Sequence, residues 1–389
     1  MDKKIDNWLK NFDIFDIDYV NNPFPFLDSM RKNCPITNSN NYSGSWMISR
    51  YEDLTNVTHN FETFSSSFGI NLIPFEDGSS ENFAIPLTAD PPIHTESKKL
   101  ITKWLTPEKV KEYEHLTQII CDELVQDISQ KDIFDAAQDY ARKIPVTVIC
   151  DILSVDLSYI DQFTIWVNNI LSNAYDAELR NSSRQELALF LLSHVSEIKN
   201  NRSDNFISSL FDSSFNDFQI TGICASLFVA GIDTTWSSIG TILWHLATNP
   251  DDLTFVRNNI DKLPTMIEEF MRFYSPVNVA RIATKNVEFN GCPIKKGDRI
   301  ILNYTSANRD EDWFENADKL DLSRTANRHV AFGSGIHRCV GANLAKMEMR
   351  VAIETFLKNI PQFSLDANSE VLWAGGQVRG PRKLMIKVI

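Results

Sequence analysis

Residues 331–348 read AFGSGIHRCVGANLAKME, and the setting of Cys339 within them decides how the rest of the chain is read. Gly333, Gly335 and Gly341 surround the cysteine. Glycine permits tight turns and close backbone approach, which aim N–H groups at a sulfur. From Val340 onward, VGANLAKMEMRVAIETFLK has a helical composition. Cys339 is therefore expected at a helix N-terminus, where the partial positive charge favours an anion.

A thiolate is the ligand form of cysteine. A single thiolate with no neighbouring cysteine does not build a zinc or iron–sulfur site, but it suits the proximal position of a haem iron. The other reading of the loop alone is a buried or nucleophilic thiol on a Gly-rich turn. A dinucleotide fingerprint fails, because Arg338 stands where its third glycine belongs.

The chain around this loop has 389 residues, 43% of them hydrophobic, with 25 Phe and 8 Trp, which is ample material for a large core. Its formal net charge of −13 argues against a nucleic-acid partner, since that needs a basic face. The opening MDKKIDNWLKNFDIFDIDYV is charged throughout, so neither a signal peptide nor a membrane anchor is expected there. Residues 223–247, ICASLFVAGIDTTWSSIGTILWHLA, approach membrane-span length, but Asp233 and His245 interrupt them. They read as a buried central helix. The cysteines at 34, 121, 150, 224, 292 and 339 form no CxxC pair. That pattern implies a reducing compartment and a cytoplasmic protein.

No repeat, linker or compositional break divides residues 1–389, so one domain is expected, mainly α with a small β part. Thr106-Pro107 reads as the cap and first position of a helix over EKVKEYEHLTQIICDELVQDI. Ser183 with Glu186 resembles a capping box opening ELALFLLSHVSEI, and Asp261 with Pro264 opens DKLPTMIEEFMRFY. Strands are expected at 45–49 and within 286–304, the latter a hairpin with Asn-Gly and Lys-Gly turns. Residues 61–93 lack periodicity and read as a long, functional loop.

Ala230-Gly231-Ile232-Asp233-Thr234-Thr235 lies mid-helix. Gly inside a helix costs roughly 1 kcal/mol relative to Ala, and a buried unpaired carboxylate costs more. Either the helix kinks there with Asp233 salt-bridged to a neighbouring element, or the pair serves a ligand pocket.

Phe332-Gly333-Ser334-Gly335-Ile336-His337-Arg338-Cys339-Val340-Gly341 resembles the haem-binding signature of the cytochrome P450 family, F-G-x-G-x-H-x-C-x-G, with every fixed position filled. The 230–235 segment resembles that family's A-G-x-D-T-T. Glu269-Phe270-Met271-Arg272 and Arg324 match its E-x-x-R network, and Ala89-Asp90-Pro91-Pro92-Ile93-His94 matches its D-P-P-x-H. The resemblance implies a long central helix over a haem held by the cysteine loop. It makes Cys339 the ligand of haem b iron and places Phe332 and Gly333 in the binding loop. His94, Arg281 and His337 become propionate partners. Lys98 stands where arginine is usual, and lysine lacks the planar fork.

The resemblance further implies that Gly231 admits O2 to the helix, that Thr234 hydrogen-bonds it, and that Asp233 relays protons. Glu269, Arg272 and Arg324 become a structural network under the haem loop. Ser226, Val229, Ala230, Val277 and Val378 fall where the family lines its substrate pocket, with Ile73, Phe75 and Ile85 available to close over it. The implied activity is a monooxygenase acting on O2 and a small hydrophobic substrate, with electrons from a separate ferredoxin and ferredoxin reductase. Lys98, Lys99, Lys103, Arg338, Lys346 and Arg350 would form the docking face. A peroxide-driven peroxygenase would lack the Asp233–Thr234 pair, and a haem-based sensor would carry an output module.

Overall fold

The axis of the molecule is a long helix in two pieces, Asp217–Gly231 and Asp233–Thr248, joined at Ile232 with φ −88° and ψ −67°. Asn216 opens it with a reciprocal capping box to Gln219, satisfying donors that a helix start leaves free. Apolar residues occupy all its faces, the pattern of a helix surrounded by protein. In this computed structural model, which describes residues 2–67, 69–74, 83–173 and 176–389, 67% of its most apolar window is buried. It is the core helix that its length and hydropathy suggested. Around it pack Lys143–Ile152, Leu263–Tyr274 and Ala342–Asn359, and the last of these also lies along Pro107–Ile128.

Local expectations hold where short-range chemistry decides them. Thr106 caps Pro107–Ile128, its hydroxyl accepting from Lys109 N at 3.3 Å. The Asn-Gly turn is a hairpin between Val287–Phe289 and Cys292–Ile294, with Asn290 and Gly291 at φ 48° and 79°, the positive pair that a type I′ turn requires. Ser45–Ile48 is a strand, and it pairs in parallel with Arg299–Asn303 in a five-stranded sheet.

The Ser183–Glu186 capping box does not form. The helix runs from Ala177 to Asn200 and is capped by Asp176. Ser183 accepts from Asn169 at 3.0 Å and Glu186 accepts from Trp166 Nε1 at 2.7 Å. Tertiary partners claimed both side chains, so the local motif had nothing left to cap. Asp261 sits in a short 3-10 turn, Ile260–Lys262, ahead of the helix Leu263–Tyr274.

One packing feature carries a prediction. Glu348, on Ala342–Asn359, is 1% exposed and its Oε2 has no hydrogen-bond partner among the described residues. Burial pushes its carboxyl well above the ordinary 4.5. The native state thus keeps a proton that the unfolded chain releases above that value, so stability falls as pH rises from there. Glu348→Met is expected to raise the unfolding free energy at neutral pH by about 1–3 kcal/mol. Urea unfolding at pH 5 and pH 8 checks it: the variant should show a smaller loss between the two than the parent protein.

Candidate active site

The cysteine loop is pinned from three sides. Cys339 N donates to Phe332 O at 2.7 Å, closing the loop on itself. At Gly335 a Cβ would lie 2.3 Å from Thr58 O, so only glycine lets the loop rest on the helix Tyr51–His59. Lys98 Nζ donates to Ile336 O at 2.5 Å and Arg338 O at 2.8 Å. Lys98 therefore fastens the helix Ile93–Thr102 to the loop with two of its three N–H groups, and it also lines the cavity beside Cys339. The helix behind the loop starts at Ala342, two residues later than its composition suggests.

Cys339 opens into an internal cavity of about 220 Å³ whose wall also includes Ala230, Thr234, Phe332 and Gly333. Burial pushes the Cys339 thiol up and outweighs the opposing pull of the Gly341 N–H and the charges of Lys98, Arg338 and Lys346. Along one edge stand His94, His337 and Arg281. The two imidazoles meet edge to face at 4.4 Å, and His94 Nδ1 and His337 Nε2 have no partner among the described residues. Arg281 is 5% exposed, donates to Ala280 O at 2.7 Å and has no carboxylate within ion-pair distance among the described residues. Burial, then Arg281, His94 and Lys98, hold the His337 imidazole down to about 2, and burial lowers His94 as well.

Orphaned nitrogens beside an unpaired guanidinium are costly without an anionic partner. A flat apolar group carrying two carboxylates supplies one, and haem has that composition. The donor set fits it.

On the opposite wall, Thr234 Oγ1 donates to Ala230 O at 2.7 Å, taking up a carbonyl at the helix break. Asp233 is fully buried and points away from the cavity, with Oδ1 2.6 Å from Arg382 Nη2. Burial pushes its carboxyl above the ordinary value, and the Arg382 charge opposes this. Arg382 comes from the strand Gly380–Lys383, which lies against the central helix because Gly380 leaves Ser237 room: a Cβ there would be 2.3 Å away. The kink and the salt bridge both exist, alongside the pocket.

Gly231 needs a different explanation from O2 access. Its missing Cβ faces Ile149, where any side chain would meet Cδ1 at 2.6 Å. Ser226, Ala230 and Val277 line the cavity as expected. Val229 turns one step around the helix into a neighbouring cavity, and Val378 is buried in a bridge to Val277. Ile85 packs by Gly222, Ile73 O accepts from Arg180, and Phe75 lies outside the described residues.

Glu269 and Arg272 are fully buried, bonded twice at 2.8 Å, and Arg324 Nε stands 3.1 Å from Glu269 Oε2. Arg272 also donates to Asn308 O, Ala317 O and Lys319 O, tying down the chain that leads into the cysteine loop. On the presumed docking face, Lys346 pairs with Glu268 and Arg350 with Glu114 and Glu354, so its positive charge is smaller than the sequence suggests.

Sequence reasoning missed Arg382, Ile70, Leu87 and Tyr304 at this site. The signal available for Arg382 was that a buried Asp233 requires a cation, without any clue to which.

A family model described as Cytochrome P450 matches residues 154–371. A Pseudonocardia autotrophica protein named vitamin D(3) 25-hydroxylase is 30% identical, covering 91% of this chain and 90% of its own length. A Bacillus spizizenii protein named cytochrome P450 109 is likewise 30% identical, over 94% and 92%. The crystal structure of a Bacillus megaterium relative, CYP109E1, in complex with testosterone superposes with a TM-score of 0.88 at 26% identity, covering 95% of this chain and 98% of that one. With the loop, the broken helix and the His94–His337–Arg281 cluster in one cavity, these matches settle the ancestry: the chain belongs to the cytochrome P450 family, whose members are monooxygenases using haem b held by a cysteine thiolate.

Proposed function

We propose that Cys339 is the thiolate ligand of the haem iron and that O2 and a hydrophobic substrate meet it across the cavity, beside Thr234. The observation that carries this reading is one cavity lined by Cys339, Thr234, His94, His337 and Arg281, with no acidic residue in its wall among the described residues. When bound, the haem supplies the reductive activation of O2, one atom entering the substrate and the other leaving as water.

The chain's own residues do the rest. The Gly341 N–H and nearby Lys98, Arg338 and Lys346 favour the anionic sulfur. His94, His337 and Arg281 hold the propionates, while Lys98 holds the loop. The Thr234 hydroxyl gives up Ala230 O to donate into the cavity. Asp233 Oδ2 is buried without a partner, and Oδ1 is held by Arg382. Arg382 also lines a separate cavity of about 790 Å³, which is the proton source for Asp233, and delivery to Thr234 Oγ1 requires the carboxyl to turn from Arg382 toward the Cys339 cavity. A ferredoxin and its reductase supply electrons, residues 1–389 act as one domain, and the protein works in the cytoplasm. The relatives named for vitamin D(3) and solved with testosterone support a hydrophobic substrate.

Thr234→Ala tests the relay. With a surrogate ferredoxin system, the variant should consume reductant at near the parental rate while product falls by roughly 10²-fold. The missing product should be matched by peroxide, the two-electron, two-proton reduction of O2. Coupling retained in the variant would sink the relay role.

A further inference from the structure

Beyond Ile70 and Leu87, which also line the Cys339 cavity, lies a second cavity of about 320 Å³. Its wall is largely apolar, with Ile170, Leu187 and Phe218, but it holds buried polar atoms that nothing satisfies. Thr88, 4% exposed, has an Oγ1 without a partner, and so does Asn181 at Oδ1, among the described residues. Gln377, 8% exposed, stands in the same wall. An unsatisfied buried polar atom is costly, and two in one cavity point to a ligand that satisfies both.

The ligand's polar group follows from what these atoms lack. Asn181 Oδ1 accepts only, and Thr88 Oγ1 both donates and accepts. A hydroxyl serves the two together. A carboxylate has no proton to give Oδ1.

We infer that the substrate is an extended apolar molecule with a neutral hydroxyl at the end remote from the oxidised carbon: its body passes between Ile70 and Leu87, and Asn181 and Thr88 hold the hydroxyl. This rests on the Cys339 cavity being the site of oxidation. The haem occupies part of that cavity, so a long substrate extends into the next one.

The test uses the ferric holoenzyme and three matched probes: dodecanol, dodecyl methyl ether and dodecanoate, with affinities from calorimetry. Dodecanol is expected to bind about tenfold more tightly than the ether, the worth of one good hydrogen bond. Asn181→Leu should remove that preference and leave the ether's affinity unchanged, whereas Thr88→Val should weaken alcohol and ether alike, because the ether oxygen also accepts from Oγ1. Ala188→Phe, which fills the second cavity from the helix Ala177–Asn200, should weaken both dodecyl ligands and spare styrene. Equal affinities for alcohol and ether, a preference for dodecanoate, or a preference that survives Asn181→Leu would each overturn the inference. A carbon monoxide spectrum of the same preparations reports separately on the haem–thiolate assignment.

Discussion

Cys339→Ser should yield a protein whose reduced carbon monoxide complex lacks the strongly red-shifted Soret band of thiolate-ligated haem, with product formation down by more than about 10³-fold. The size of the effect follows from the other thiols. Burial pushes Cys121, Cys150 and Cys224 to about 12, so they stay protonated and cannot replace a lost thiolate. Cys34 and Cys292 are half-buried and do not line the cavity. Only Cys339 combines an opening into the cavity with a backbone N–H and three cations that favour the anion. A red-shifted band surviving in the serine variant would mean that another sulfur holds the iron.

Glu269→Ala is expected to lower the unfolding free energy by about 3–5 kcal/mol, because it leaves a guanidinium buried without its charge partner. Glu269 serves four groups at once: Arg272, Arg324, the Asn327 amide at 3.0 Å and Asp321 N at 2.8 Å. Arg272 would keep its three carbonyls, which cannot neutralise it. The carbonyls it holds belong to the segment that precedes the cysteine loop, so haem retention should fall with stability. Chemical denaturation with haem release followed in parallel checks both. An unfolding midpoint within error of the parent protein would show that the network adds little.

The parts of this molecule visible in its sequence are those whose chemistry is local. An Asn-Gly turn and a Thr-Pro helix start act through neighbours a few residues away, and both appear as expected. Where a distant partner decides, reading fails. Ser183 and Glu186 spell a capping box, but Asn169 and Trp166 take their side chains. Gly231 looks like a window for O2, yet Ile149, from another helix, accounts for its missing Cβ. The sequence leaves the role of Lys98 open, and its two carbonyl partners, more than 200 residues away, give it a loop-fastening one. Val229 and Val378 sit where the family resemblance put them along the chain, and a rotation about the helix or a strand bridge decides which cavity they face. The second cavity had no sequence signal at all, since Thr88, Asn181 and Gln377 become neighbours only after folding.

The Asp233–Arg382 pair spans 149 residues. On a ribosome, the central helix is complete long before the strand that carries its countercharge has been made. A nascent chain that ends before Gly380 lacks the Arg382 countercharge, so it can bury Asp233 only by protonating the carboxyl, and the groove that Gly380 opens beside Ser237 stays vacant. The ion pair on this helix can form only once synthesis has passed Arg382. Chain elongation therefore sets the earliest moment at which strand and helix can lock together.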